Sequence, residues 1–410
     1  SLKLALKIAL LVFKPNMEPR IKTGLEVLKS KPDHPFLKGN IGLLCNSASI
    51  DNNFDSTITV LKPLCNLKKV FGPQHGFGST VQDNMIETPD DHDSYFDLPI
   101  YSLYSAIRRP TEDQLSSLDT VVVDLQDVGT RVYTYIWTMS LMMEQCKLQN
   151  VKILVLDRPN PVGGGIVEGN VTCEAYRSFV SRYDLPMRHG MTVGEVAIFL
   201  TKYYPQTACE LEVVKMEGWT RDMYWEDTGL TWVNTSPNLG TVNSVLVYPG
   251  TVIFEGTELS EGRGTTRALE MIGHPKINAY RFCERAREAF REAGIVGVAV
   301  RAVYFEPTFQ KQAEKQCGGV HLHATNPRIF KSWRASQILL REFAAEMGSD
   351  FNWNVQPYEY EFERKAIDYI NGGEEISLWV EKNGTLEELE AIENKGREDY
   401  LERRRAVLLY

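Results

Sequence analysis

The chain has 410 residues, 43% hydrophobic and 24% charged, and its 45 lysines and arginines against 54 aspartates and glutamates leave a net charge of −9. That length exceeds one ordinary hydrophobic core, so two domains are expected, and the composition excludes a disordered or fibrous chain. An acidic chain without a basic stripe argues against a nucleic-acid partner, although local arginines can still hold a small anion.

Residues 1–19 are set apart as an N-terminal extension. Within it, residues 2–13 are apolar but too short to span a bilayer, and no small-x-small cleavage site follows them. No membrane span is expected. Seven cysteines, an odd count without a CxxC pair, read as buried reduced thiols rather than a zinc site. That usage and the missing cleavage site favour a reducing, cytoplasmic compartment.

Residues 20–245 alternate between strand and helix. Strands are predicted at 41–45, 67–71, 119–125, 151–156 and 211–216, and helices at 54–64, 111–117, 133–149 and 192–204. In the third of these helices Tyr133, Ile136, Trp137, Ser140, Leu141 and Glu144 recur at about 3.6 residues, with apolar groups dominating one face. Repeated strand–helix–strand units imply right-handed crossovers and a doubly wound, Rossmann-like α/β sheet. The first strand is not followed by GxGxxG, so neither nicotinamide nor flavin is expected, and no cofactor is assigned.

Between 220 and 265 the chain turns rich in tryptophan, glycine, proline and asparagine, an aromatic content that argues for an ordered functional loop. Residues 246–410 read as a smaller α+β domain. Helices are predicted there at 265–273, 277–293 and 327–346, strands near 295–304 and 318–323, and a charged closing helix at 385–405.

Three apolar runs end in reactive-looking loops: Gly72-Pro73-Gln74-His75-Gly76, Gln126-Asp127-Val128-Gly129-Thr130-Arg131, and Asp157-Arg158-Pro159-Asn160-Pro161. Ligands of an open α/β sheet bind at the carboxyl ends of its strands, so these loops are expected to converge on one crevice. Each Asp–Arg set is also open to being a structural ion pair. Glu87 and Asp83 are the carboxylates nearest His75 in sequence. In the segment 254–267, Glu255, Glu258, Glu261, Arg263 and Arg267 crowd among glycines. Thr265 or Thr266 there would cap a helix whose N-terminus, with Arg263, suits a ligand carboxylate. His321 and His323 alternate on a strand and share a face, but two histidines do not make a metal site. The absence of GxSxG, HExxH and Walker A patterns leaves acid–base chemistry by carboxylates and histidine. With aromatic platforms nearby, that chemistry suggests a carbohydrate substrate.

The blocks quoted above, with Arg188-His189-Gly190-Met191-Thr192, Glu217-Gly218-Trp219, Ser236-Pro237-Asn238 and Glu255-Gly256-Thr257, occur in an order that resembles the exo-β-N-acetylmuramidase family of peptidoglycan-degrading glycoside hydrolases. The resemblance runs from about Thr23 to the end. It implies a Rossmann-like domain followed by a second domain, with the active cleft between them, and release of terminal N-acetylmuramic acid from cell-wall fragments. It accommodates an exported or periplasmic location as well as a cytoplasmic one. It also implies a catalytic glutamate at the third position of the Gly-Pro-Glu-His-Gly motif, where this chain has Gln74.

An amide cannot protonate a leaving oxygen as a carboxylic acid does. Glu87 is therefore expected as acid/base, assisted by His75 and Asp127, with Gln74 binding sugar hydroxyls or the acetamido group. Asn84, Arg131, Tyr133, Arg158, Asn160, His189, Glu255, Glu258, Glu261 and Arg263 are the candidate substrate-binding residues. The alternatives are a muropeptide- or sugar-binding protein without turnover and a hydrolase of a different glycoside.

Overall fold

The structure is a computed structural model that describes residues 20–410 apart from Asn84. The predicted extension 1–19 and the candidate Asn84 lie outside the described residues.

Short β-branched runs form the centre of the fold. Strands β1 (Asn40–Cys45), β2 (Asn66–Gly72), β3 (Asp91–Asp93), β4 (Leu98–Ser102), β5 (Thr120–Asp124), β6 (Lys152–Leu156) and β7 (Leu211–Val214) make one sheet in the order β3-β4-β2-β1-β5-β6-β7. All neighbours are parallel except β3, which pairs antiparallel with β4 at the edge. The six parallel strands thus follow the doubly wound order, and the chain reverses its direction of travel at the β1–β5 pair. Every residue of β5 is buried, as expected of a strand covered on both faces. The edge strand β3 and its neighbour β4 were not anticipated: Asp91-His92-Asp93 has no apolar alternation to announce it.

Helix Tyr135–Gln149 fills its predicted place, but it is not amphipathic. Every side chain from Tyr135 to Met143 is buried, so the helix lies inside the protein rather than against one surface. It packs within a single apolar core that includes Phe71, Trp137, Ile253, Phe254, Trp333 and Trp379 and so spans both halves of the chain.

The second sheet is small and antiparallel, β8 (Met271–His274), β9 (Val298–Phe305) and β10 (Cys317–Ala324), in the order β8-β10-β9. Helices Ala279–Glu292 and Ser332–Met347 meet through the stacked rings of Phe282 and Phe343, 3.9 Å between centroids. The expected domain boundary at 245/246 falls inside helix Val242–Thr251.

Two expected helices change. Residues 265–270 form turns, not a helix, because Gly262, Gly264 and Leu269 all take positive φ before the chain enters β8. The closing helix is two, Leu386–Glu393 and Arg397–Arg405, parted at Gly396, whose φ of 73° is left-handed.

Two buried contacts lock the halves together. Glu168 pairs with Arg188 at 2.8 Å and also accepts the backbone N–H of Trp333 at 3.0 Å. Arg131 donates to the carbonyls of Asn170, Leu185 and Ile370.

Candidate active site

At the junction of the two halves lies a small pocket, lined by Gln74, His75, Tyr133, Thr134, Ser236, Asn238, Tyr248, Glu255, Arg263, Tyr358 and Glu359, among others. The N-terminal half delivers its share from the end of β2 and from the turn that opens helix Tyr135–Gln149. Asn46, just past β1, donates to Tyr135 Oη and to the Thr235 carbonyl. It thereby pins the loop that presents Ser236 and Asn238. Tyr133 and Tyr248 meet edge to face, 6.1 Å apart, and give the cavity an aromatic wall.

His75 takes a left-handed backbone, φ 71°. Its Nδ1 lies 2.7 Å from the Val81 carbonyl, which can only accept, so Nδ1 carries the proton and Nε2 is the acceptor. Burial lowers its pKa to about 4, and Arg263 nearby pushes the same way. The ring is neutral at neutral pH.

Gln74 is held at both ends of its amide. Thr134 Oγ1 donates to Oε1 at 2.6 Å, and Nε2 donates to Glu359 Oε1 at 3.2 Å. The other Glu359 oxygen accepts from Tyr104 Oη at 2.8 Å, with Arg108 Nη2 at 3.7 Å. Burial raises the Glu359 carboxyl to about 7, a shift that the Tyr104 hydrogen bond, Arg108 and Gln74 only partly offset.

The second cavity glutamate has different company. Glu255 comes from a 3₁₀ turn, Val252–Gly256, that sits tight against helix Ala366–Asn371; a Cβ on Gly256 would lie 2.7 Å from the Ile367 Cα. Its oxygens accept from Arg263 Nη2 at 2.5 Å and from Tyr358 Oη at 2.7 Å. Arg263 also meets Glu261 at 3.1 Å, and Lys311 meets Glu261 at 2.7 Å. Burial acts against the charges on Arg263 and Glu261. Their partners outweigh it, raising the guanidinium pKa and lowering that of the Glu261 carboxyl.

Of the residues singled out in the sequence, Gln74, His75, Tyr133, Glu255 and Arg263 line this cavity. Glu87 does not: its carboxylate is exposed and accepts from Tyr360 Oη. Asp127 turns back to accept from the Gly129 N–H and lies 3.3 Å from His189 Nε2. Arg131, its charge disfavoured by burial to a pKa of about 9, is a carbonyl clamp with no acidic partner in hydrogen-bond reach among the described residues. Arg158 pairs with Asp124, and Asn160 bridges Met191 and Val162 through their backbones. Asp157 accepts from the Thr192 hydroxyl, the Gly194 N–H and Tyr410. The three loops therefore end at neighbouring points of the sheet, but only the first reaches the cavity. Glu258 meets Gln312 and Asn352 through its backbone, and Glu261 is spent on Arg263 and Lys311.

The anion grip expected from Arg263 and a helix start is absent in that form, since the helix is missing and Arg263 is shared between two glutamates. Among the described residues, no group of three or more histidines, cysteines, aspartates or glutamates is arranged to hold a metal, and no helix is long and apolar enough to cross a membrane. The seven cysteines are free thiols, five of them buried.

Residues 41–243 match the family model for the N-terminal part of the exo-beta-N-acetylmuramidase NamZ, and residues 246–410 match its C-terminal counterpart. The chain belongs to the NamZ family. It is 36% identical over 402 residues to the peptidoglycan beta-N-acetylmuramidase NamZ of Bacillus subtilis (strain 168), covering 96% of this chain and 92% of that one. Two crystal structures of DUF1343 family proteins from Bacteroides fragilis NCTC 9343 share the fold. One has a TM-score of 0.85 at 31% identity, covering 96% of this chain and all of the other; the second has 0.73 at 26%, covering 95% and 99%. NamZ membership thus extends across both halves that build the cavity.

Proposed function

We infer that this chain is a glycoside hydrolase that releases a terminal N-acetylmuramic acid from peptidoglycan fragments. The observation that carries this reading is the 36% identity to the Bacillus subtilis enzyme over 96% of the chain, joined to a small polar cavity at the junction of the matched halves. In this reading the pocket receives the single terminal sugar ring on which exo action works. Tyr133 and Tyr248 wall the ring, Asn238 and Ser236 offer polar contacts to its hydroxyls and acetamido group, and neutral His75 offers an acceptor nitrogen. Beyond Asn238 a second, polar pocket lined by Gln82, Thr265 and Arg267 gives the remainder of the fragment a place to lie.

Initial rates on chromogenic β-N-acetylmuramide and β-N-acetylglucosaminide test this reading. Turnover of the muramide, at a kcat/KM at least about tenfold above that of the glucosaminide, is expected from a site that reads the lactyl ether. Turnover of the glucosaminide alone would make the protein a hydrolase of another sugar. Tight muramic acid binding without turnover of either would make it a binding protein.

A further inference from the structure

We propose that Glu359, which reaches the cavity from the C-terminal half, is the proton donor to the leaving oxygen, taking the acid role that Gln74 cannot perform; this assignment rests on the glycosidase reading above.

Three observations converge on it. First, among the described residues only two carboxylates line the cavity, Glu255 and Glu359. Glu255 is closed in an ion pair with Arg263 at 2.5 Å, whereas among the described residues Glu359 has neutral donors, Gln74 and Tyr104, at hydrogen-bond distance and the Arg108 cation stands off at 3.7 Å. Second, Glu359 is held at the tip of a strained turn. Tyr358 and Glu361 exchange both backbone hydrogen bonds, and the two residues between them, Glu359 and Tyr360, have φ of 49° and 69°. Such turns ordinarily use glycine or asparagine, and each left-handed non-glycine residue costs about 1–3 kcal/mol. Here that strain places a carboxylate, 5% exposed, against Gln74. Third, the Arg108 guanidinium lies among the rings of Tyr104, Phe179 and Tyr360, 4.2 to 5.1 Å from their centroids, so it braces the turn from behind.

The surroundings set the proton state. The titratable and charged groups facing Glu359 are Tyr104, Arg108, Glu255, Tyr248 and Tyr358. Burial holds the three tyrosines well above their ordinary range, so they stay neutral. Burial likewise keeps the Glu359 carboxyl protonated up to about pH 7. In the reaction the glycosidic C1–O bond breaks, its electron pair goes to the leaving oxygen, and that oxygen takes the Glu359 proton. Water forms the new bond to C1 and releases its proton to solvent, from which Glu359 is recharged. Gln74 is a positioning residue: with Thr134 fixing its far end, its amide keeps the carboxyl turned into the cavity.

The test compares the full chain with its Glu359→Gln variant on two β-N-acetylmuramides, one with a nitrophenol and one with an alkyl or sugar leaving group. Loss of a general acid lowers kcat by about 10² to 10⁴ where the leaving group needs a proton. A nitrophenolate leaves unassisted, so the variant's loss on that substrate is expected to be at least about tenfold smaller. In the wild-type protein the alkaline limb of kcat/KM on the alkyl substrate falls near pH 7, and it vanishes in the variant. An equal loss on both substrates, a variant with full activity, or a wild-type profile without that limb would each overturn the assignment. The wild-type profile needs no variant, so a misfolded Glu359→Gln protein does not rescue the idea. Wild-type protein inactive on both muramides would instead overturn the proposed function, and the Glu359 role with it.

Discussion

Glu255 and Glu359 face the same cavity and are almost equally buried, 7% and 5% exposed, yet their settings are opposed. Around Glu255 the chain built a charged lattice, Glu255–Arg263–Glu261–Lys311, in which each buried acid has a buried base within 3.1 Å. Around Glu359 it placed a phenol and an amide at hydrogen-bond distance, with the one cation, Arg108, farther off at 3.7 Å. Burial raises the Glu359 carboxyl to about 7, and the hydrogen bonds from Tyr104 and Gln74 and the charge on Arg108 offset it only in part.

The contrast breaks most violently at Arg263. Arg263→Met would leave Glu255 and Glu261 facing each other without the shared cation, and stability is expected to fall by about 3–5 kcal/mol. Denaturant unfolding measures this, and a loss below about 1 kcal/mol would mean the lattice is not charged.

Next in size is the pH dependence of stability at Glu359. Its folded pKa, about 7, lies above the ordinary 4.5, so the folded state binds the extra proton between those values. Stability from this group is complete below 4.5 and is lost as pH rises to about 7, an effect of roughly 3 kcal/mol. Unfolding free energies of the wild type and Glu359→Gln, compared between pH 4.5 and 7.5, are expected to diverge by that order in favour of the variant at the upper end. Parallel curves would show an ionised Glu359 throughout. His75 acts in the opposite sense. Its pKa falls from 6.5 to about 4, so its contribution is present above 6.5 and lost as pH falls.

Gln74→Glu sharpens the comparison by setting a second carboxyl at the 3.2 Å contact. Two such groups do not both ionise, so the alkaline limb is expected to move up by about one pH unit or more. A limb left in place would separate residue 74 from the proton donor. The smallest effect is expected from Glu87→Gln. Glu87 is exposed, and a change there is expected to alter stability by less than about 0.5 kcal/mol and kcat by less than about threefold. A hundredfold loss would return the acid to the loop where the sequence first suggested it.

Much of the frame could be read from the residues. Thr120-Val121-Val122-Val123 can only be an inner strand, and Gly72-Pro73-Gln74-His75-Gly76 marks the loop that enters the cavity. The pairing of charges could not be read. Asp157 and Arg158 are adjacent in sequence, yet Arg158 binds Asp124 across the sheet while Asp157 binds the start of helix Val193–Tyr203. Ion pairs depend on side-chain direction at neighbouring strand ends, which adjacency does not encode.

Glu359 was missed for a different reason. Tyr358-Glu359-Tyr360-Glu361-Phe362-Glu363 alternates aromatic and acidic residues like an exposed strand, and it has no glycine to announce a turn with two left-handed positions. The usable signal was three glutamates alternating with three aromatic rings beyond the last predicted strand.

Gln74 and Glu359 are 285 positions apart, and each reaches the cavity from its own half of the chain. During synthesis the N-terminal sheet emerges first. The turn at 358–361 arrives after both sheets are complete. A nascent chain that has released every strand of the first sheet thus has the loop at Gln74 while the carboxyl that meets it is still to come. The proton-bearing group is the last piece of the cavity to be delivered, and a chain cut short before it emerges lacks the acid and part of the shared core as well.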